Sequence, residues 1–141
     1  MVNQENKNIH ILAVDDNQVS LTILIKMLKR ADCRVISAME GDEALHLVKQ
    51  DPVAYDVILL DRIMPNMDGI EVTKTMKADP VLRYIPIIMQ TAASKPEEIS
   101  EGIEAGVFYC LTKPLEAKSL LSVVAAAVEN ETILGRRHYA S

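Results

Sequence analysis

Asp56-Val57-Ile58-Leu59-Leu60, followed at once by Asp61, is the stretch on which the reading of this chain turns. Four aliphatic residues in a row leave no polar face, which suits a short strand buried on both sides. Comparable runs recur at residues 9–14, 33–38, 85–90 and 107–112. Helical patterns fill the intervals. Leu21, Leu24, Ile25 and Leu28 repeat at helical spacing behind Asn17, a candidate cap. Further helices are expected at 41–50, stopped by Asp51-Pro52, and from about 70 to 78, stopped by Asp79-Pro80. Another is expected at 96–105, between Pro96 and Gly106, and the last at 116–134, before Gly135. Strands alternating with helices imply right-handed crossovers and a single doubly wound α/β domain, its parallel sheet covered on both faces. Ligands of such sheets bind at the carboxyl ends of the strands, near the point where strand order reverses.

The bulk properties narrow the classes. A chain of 141 residues suits one domain, and with 49% hydrophobic but only 4% aromatic residues its core must be aliphatic. A formal net charge of -5 argues against a nucleic-acid-binding face, which would be basic. Cys33 and Cys110 are too few for a disulfide framework and suit a reducing compartment. Residues 1–8 are polar and read as a flexible leader without a signal-peptide core, and no stretch approaches a membrane span. A cytoplasmic protein is expected.

Chemistry concentrates where the strands end. Asp15-Asp16, Asp61, Thr91 and Lys113-Pro114 each follow or close an aliphatic run. Taken singly, an acid after a strand is an ordinary turn or helix cap, a threonine there is a good strand former, and a loop lysine is solvated. Together they are a different matter. Carboxylates gathered at one sheet edge repel and raise one another's pKa, and a hard divalent cation such as Mg²⁺ relieves the strain. Lys113 supplies a mobile point charge for an anion and Thr91 a hydroxyl. Asp61 is already anionic and can attack phosphorus without a general base. His10, His46 and His138 are scattered and lack metal or triad spacing. There is no P-loop, and Val14-Asp15-Asp16-Asn17 would repel a pyrophosphate.

In this order and at these intervals, Val14-Asp15-Asp16, Leu60-Asp61-Arg62-Ile63-Met64-Pro65-Asn66-Met67-Asp68-Gly69, Thr91-Ala92 and Leu111-Thr112-Lys113-Pro114 resemble the receiver domain of two-component response regulators, the CheY-like superfamily. The likeness covers roughly residues 9–130, with 131–141 as an extension of the last helix and a tail. It implies a flavodoxin-like sheet in the order 2-1-3-4-5. It implies that Asp61 is the phosphoacceptor in a bacterial phosphorelay. Asp16 and Asp61 would bind Mg²⁺ (or Mn²⁺) directly, Asp15 mainly through water, and Ile63 through its backbone carbonyl. Lys113 would pair with Asp61 and then with the phosphoryl group. Thr91 would swing its hydroxyl toward a phosphoryl oxygen, and Ala92 would leave the site open. Lys113-Pro114 would be a cis peptide. The donor would be a sensor histidine kinase or a histidine phosphotransfer protein. Such a domain catalyses only its own phosphorylation and slow dephosphorylation.

Three positions depart from the family pattern. Many members carry Tyr or Phe where this chain has Cys110, and strand alternation puts Tyr109 on the other face. The switch is either altered or Cys110 is simply a small core residue. Ile63 and Ala93, two past Asp61 and two past Thr91, cannot orient water, so a long-lived phosphoaspartate is expected. On the first helix, Ile23 and Met27 form a flank that by resemblance meets the phosphodonor. On the last, Leu120, Leu121, Val124 and Val128 are expected to face the sheet, leaving Val123 and Ala127 for a partner or for a homodimer through the fourth helix, fifth strand and fifth helix. Two other readings are a phosphoaspartate phosphatase resembling haloacid dehalogenases and a phosphorylation-independent pseudo-receiver. The first wants an acid where Ile63 stands; the second fits poorly with an intact site.

Overall fold

The computed structural model describes residues 9–92 and 95–133; the expected leader at 1–8, Ala93 and the tail from residue 134 lie outside them. The strands are β1 His10–Val14, β2 Arg34–Ala38, β3 Val57–Asp61, β4 Ile87–Thr91 and β5 Tyr109–Thr112. The helices are α1 Gln18–Arg30, α2 Gly41–Gln50, α3 Gly69–Lys77, α4 Pro96–Ala105 and α5 Ala117–Ile133. All pairings are parallel and the order is β2-β1-β3-β4-β5, as the family likeness implies.

Three strands lie slightly later in the chain than their apolar runs. Pro86 has no N–H for the ladder, so β4 begins after it, although the Pro86 carbonyl still accepts from the Ile58 N–H at 3.0 Å. Gly106 ends α4 in the left-handed region (φ 114°), and the Val107 N–H turns back to the Gly102 carbonyl at 3.2 Å, which delays β5. β3 extends one residue further, so Asp61 closes the strand itself. Register then aligns the strand ends: Val14 beside Leu60, Asp61 beside Gln90, Thr91 beside Thr112. Short 3₁₀ turns at Pro52–Ala54 and Leu82–Tyr84 fill connections that the apolar pattern leaves blank.

Side chains cap the starts of α1 and α3. The Asn17 carboxamide oxygen accepts from the Ser20 N–H at 2.9 Å. Asp68 and Glu71 form a reciprocal capping box at the start of α3. The sheet separates two aliphatic cores. Leu12, Ile58, Leu60, Ile87 and Met89 pack with α2 and α3 residues such as Val48, Val72 and Met76. Ile11, Leu59 and Ile88 pack on the other side with Leu21, Leu24 and Leu28 of α1 and Leu120 and Val124 of α5. One assignment on α5 is corrected. Ala127 is fully buried in this core, so it is not left over for a partner; Val123 is only half-buried against it and keeps exposed surface. A methyl side chain in the seam lets the helix lie close to the sheet, and the apolar count alone does not show that.

Candidate functional site

The aligned strand ends bring Asp15, Asp16 and Asp61 together, with one carboxylate oxygen from each inside 4.8 Å of the others. Asp15 is buried at the end of β1, where its N–H donates to the Ala38 carbonyl at 3.1 Å. Its Oδ1 accepts from the Asn17 N–H at 2.9 Å, and this tight turn fixes the carboxylate direction. Asp16 is exposed beside it. Lys113 reaches across from the end of β5, its Nζ 3.1 Å from Asp61 Oδ1 and 3.3 Å from Asp15 Oδ2. Its backbone N–H donates to the Thr91 carbonyl at 2.8 Å, and the Lys113-Pro114 peptide is cis.

Electrostatics follow from this packing. Burial and the neighbouring Asp15 push the Asp61 carboxyl up to about 6; Lys113 pulls it back and Asp16 adds a smaller push. Burial alone would lower the Lys113 pKa, but Asp61 and then Asp15 reverse this, and the net direction is up. One ammonium therefore faces three carboxylates, and the pocket stays short of positive charge. This all-oxygen donor set is compatible with Mg²⁺.

Thr91 is buried at the end of β4, and its hydroxyl donates to Glu98 Oε1 in the first turn of α4 at 3.1 Å. Ala92 next to it is exposed. Arg62, directly after Asp61, also reaches α4. It donates to the Glu98 carbonyl at 3.3 Å and pairs with the Glu101 carboxylate. Ile63 is 66% exposed at the mouth of the site. Cys110 is half-buried against α4, where a Cβ built on Gly102 would lie only 2.9 Å from its sulfur; Tyr109 points to solvent. Gly69 is equally constrained, because a Cβ there would stand 2.6 Å from the Asp61 carbonyl oxygen. Sequence reasoning assigned no role to Glu98, Glu101, Arg62 or Gln90. Gln90 does carry a signal, a carboxamide inside an aliphatic strand. It is buried, and its Nε2 is the sole buried side-chain nitrogen or oxygen without a partner among the described residues.

The family model described as the response regulator receiver domain matches residues 11–125. The chain belongs to this family. It is 36% identical over 118 residues to the chemotaxis protein CheY-3 of Vibrio cholerae, covering 82% of this chain and 88% of that protein. It is 34% identical over 124 residues to the response regulator PleD of Caulobacter vibrioides, covering 88% of this chain but only 27% of PleD. A response regulator from Chloroflexus aurantiacus superposes with a TM-score of 0.83 at 29% identity, over 87% of this chain and 99% of that one. The receiver domain of a Pseudomonas aeruginosa sensor histidine kinase superposes with a TM-score of 0.80 at 29% identity, over 86% and 98%; that structure has a magnesium ion coordinated in its active-site cleft. Receiver domains are signalling modules and not conventional enzymes. Among the described residues of this one, no helix is long and apolar enough to cross a membrane.

Proposed function

We propose that this receiver domain accepts a phosphoryl group on Asp61 and uses the resulting change to control a partner or an output domain. The observation that carries the reading is the Lys113 ammonium bridging Asp61 and Asp15 at 3.1 and 3.3 Å inside the acidic cluster. An Asp61 oxygen attacks phosphorus, the bond from phosphorus to the donor imidazole nitrogen breaks, and that nitrogen keeps the electron pair. Lys113 then turns from the carboxylate to the phosphoryl oxygens, and Thr91 donates its hydroxyl to one of them. Exposed Ala92 leaves room for the transferred group. Positioning and charge neutralisation suffice for this chemistry.

Asp16, Asp61 and the Ile63 carbonyl would hold Mg²⁺ or Mn²⁺, with Asp15 acting mainly through water. The bound cation supplies charge neutralisation at the phosphoryl oxygens. The donor is a histidine kinase or a histidine phosphotransfer protein. A groove of about 420 Å³ supports this: Ser20, Ile23, Leu24 and Met27 of α1 face Pro114 and Leu115 across it, with Lys113 at its edge. The downstream contact, or a second copy of the chain, falls on α4, β5 and α5, where Ile103 and Tyr109 are exposed. The domain spans residues 9–130, and α5 continues beyond it to Ile133.

Incubation with acetyl phosphate and Mg²⁺ tests the reading. Intact mass should show one phosphoryl adduct, lost in Asp61→Asn, with no turnover of general phosphomonoesters. An adduct that survives Asp61→Asn, or steady phosphomonoester hydrolysis, would overturn it.

A further inference from the structure

The Thr91 hydroxyl has a single proton. In this structure it is given to Glu98 Oε1 at 3.1 Å. A phosphoryl oxygen on Asp61 would require the same proton, so the two acceptors compete. Glu98 sits in the first turn of α4, whose backbone is also held from the other side of the pocket. Arg62, one residue past Asp61, donates to the Glu98 carbonyl at 3.3 Å and pairs with Glu101 one turn on. The start of α4 is thus tied to the ends of both β3 and β4. Deeper along the helix, α4 closes onto β5 at Gly102, against the Cys110 sulfur. Position 110 is a cysteine, so no aromatic ring there reports on Thr91.

Resting on Asp61 as the acceptor, we propose that Glu98 is a positioning residue that withholds the Thr91 hydroxyl until Asp61 is phosphorylated, and that surrender of this bond releases the first turns of α4. The released segment borders the exposed Ile103 on the same helix. The signal therefore leaves the site through a carboxylate latch, with direct consequences for the surface beside it. Because the latch also stabilises the resting arrangement, removing it makes the switch easier to throw.

The test is a double-mutant cycle with Glu98→Ala and Thr91→Val, read by amide hydrogen exchange across α4, with and without acetyl phosphate and Mg²⁺. The net worth of an ordinary intramolecular hydrogen bond predicts that each single variant raises exchange of the first α4 turns roughly three- to tenfold in the unphosphorylated protein. The double variant should add nothing further. In Glu98→Ala, phosphorylation should then leave α4 exchange unchanged within about twofold, whereas Glu98→Gln, which keeps an acceptor, should retain most of the wild-type response. Additive single variants, or a wild-type phosphorylation response in Glu98→Ala, would sink the latch. A wild-type protein that forms no adduct at all would instead remove the acceptor role of Asp61, and the release step with it.

Discussion

Replacing Asp61 with Asn should abolish phosphorylation and at the same time make the metal-free protein more stable. The carboxyl is 6% exposed and pushed from 3.8 to about 6, mainly by burial and by Asp15. At about 1.4 kcal/mol per pH unit, that shift bounds the cost of keeping Asp61 ionised at about 3 kcal/mol. That bound is already net of the favourable 3.1 Å ion pair with Lys113, which Asn loses. Screening at the pocket mouth reduces the bound, leaving a net gain of about 1–2 kcal/mol. The sign fixes the pH window. Above its folded pKa the native carboxylate is ionised at a cost. As pH falls from about 6 to about 4, the folded wild type takes up a proton that the unfolded chain does not, and it gains stability. Below about 4 both states are protonated and the Asn variant keeps little advantage. Urea unfolding in chelator, at about pH 7 and about pH 4, measures the gap; excess Mg²⁺ should close it by stabilising the wild type. An Asn variant no more stable than wild type at pH 7, or a gap unchanged at pH 4, would refute the electrostatic account.

The other expected outcomes concern single groups. Gln90→Leu should stabilise the fold by about 1 kcal/mol in urea unfolding, because a buried carboxamide nitrogen without a partner is replaced by an apolar group of similar size. A loss of stability would mean that this nitrogen is satisfied in solution. Gly69→Ala should cost about 1–3 kcal/mol and slow adduct formation, since the new Cβ meets the Asp61 carbonyl at 2.6 Å; an unperturbed variant would show that α3 shifts freely. The phosphorylated domain should persist for minutes or longer in Mg²⁺, because Ile63 at the mouth offers no group to orient water. Decay of labelled protein within seconds would contradict that.

How much was legible from residues alone depends on where each group stands. Asp61 was readable because it ends an unbroken aliphatic run and Lys113 because it follows a mixed apolar one, and parallel topology carries such ends to one edge. Glu98 was not. It follows Glu97 in the first turn of a helix, where acids are favoured by the dipole whatever their neighbours. Its bond to Thr91 depends on the path of the intervening loop, which no periodicity describes. Ala127 failed for a different reason. α5 is apolar around nearly its whole circumference, so the pattern could not choose a face, and the small residue looked spare when its size is what permits close packing. The capping box of Asp68 and Glu71 was present in the letters but overshadowed by Pro65 and Gly69 as turn formers.

The depth at which Ala127 is buried has a mechanical consequence. With Leu120, Val124 and Ala127 all gripped by the sheet, α5 is clamped along successive turns and cannot bend independently of the core. Past Ala127, Val128 still packs against this core, and the helix continues to Ile133, about 9 Å beyond Ala127 at the α-helical rise. A rod fixed in this way points; it does not flex. Any group carried on that end turns with the sheet as one rigid body, and small rotations of the core reach it undamped.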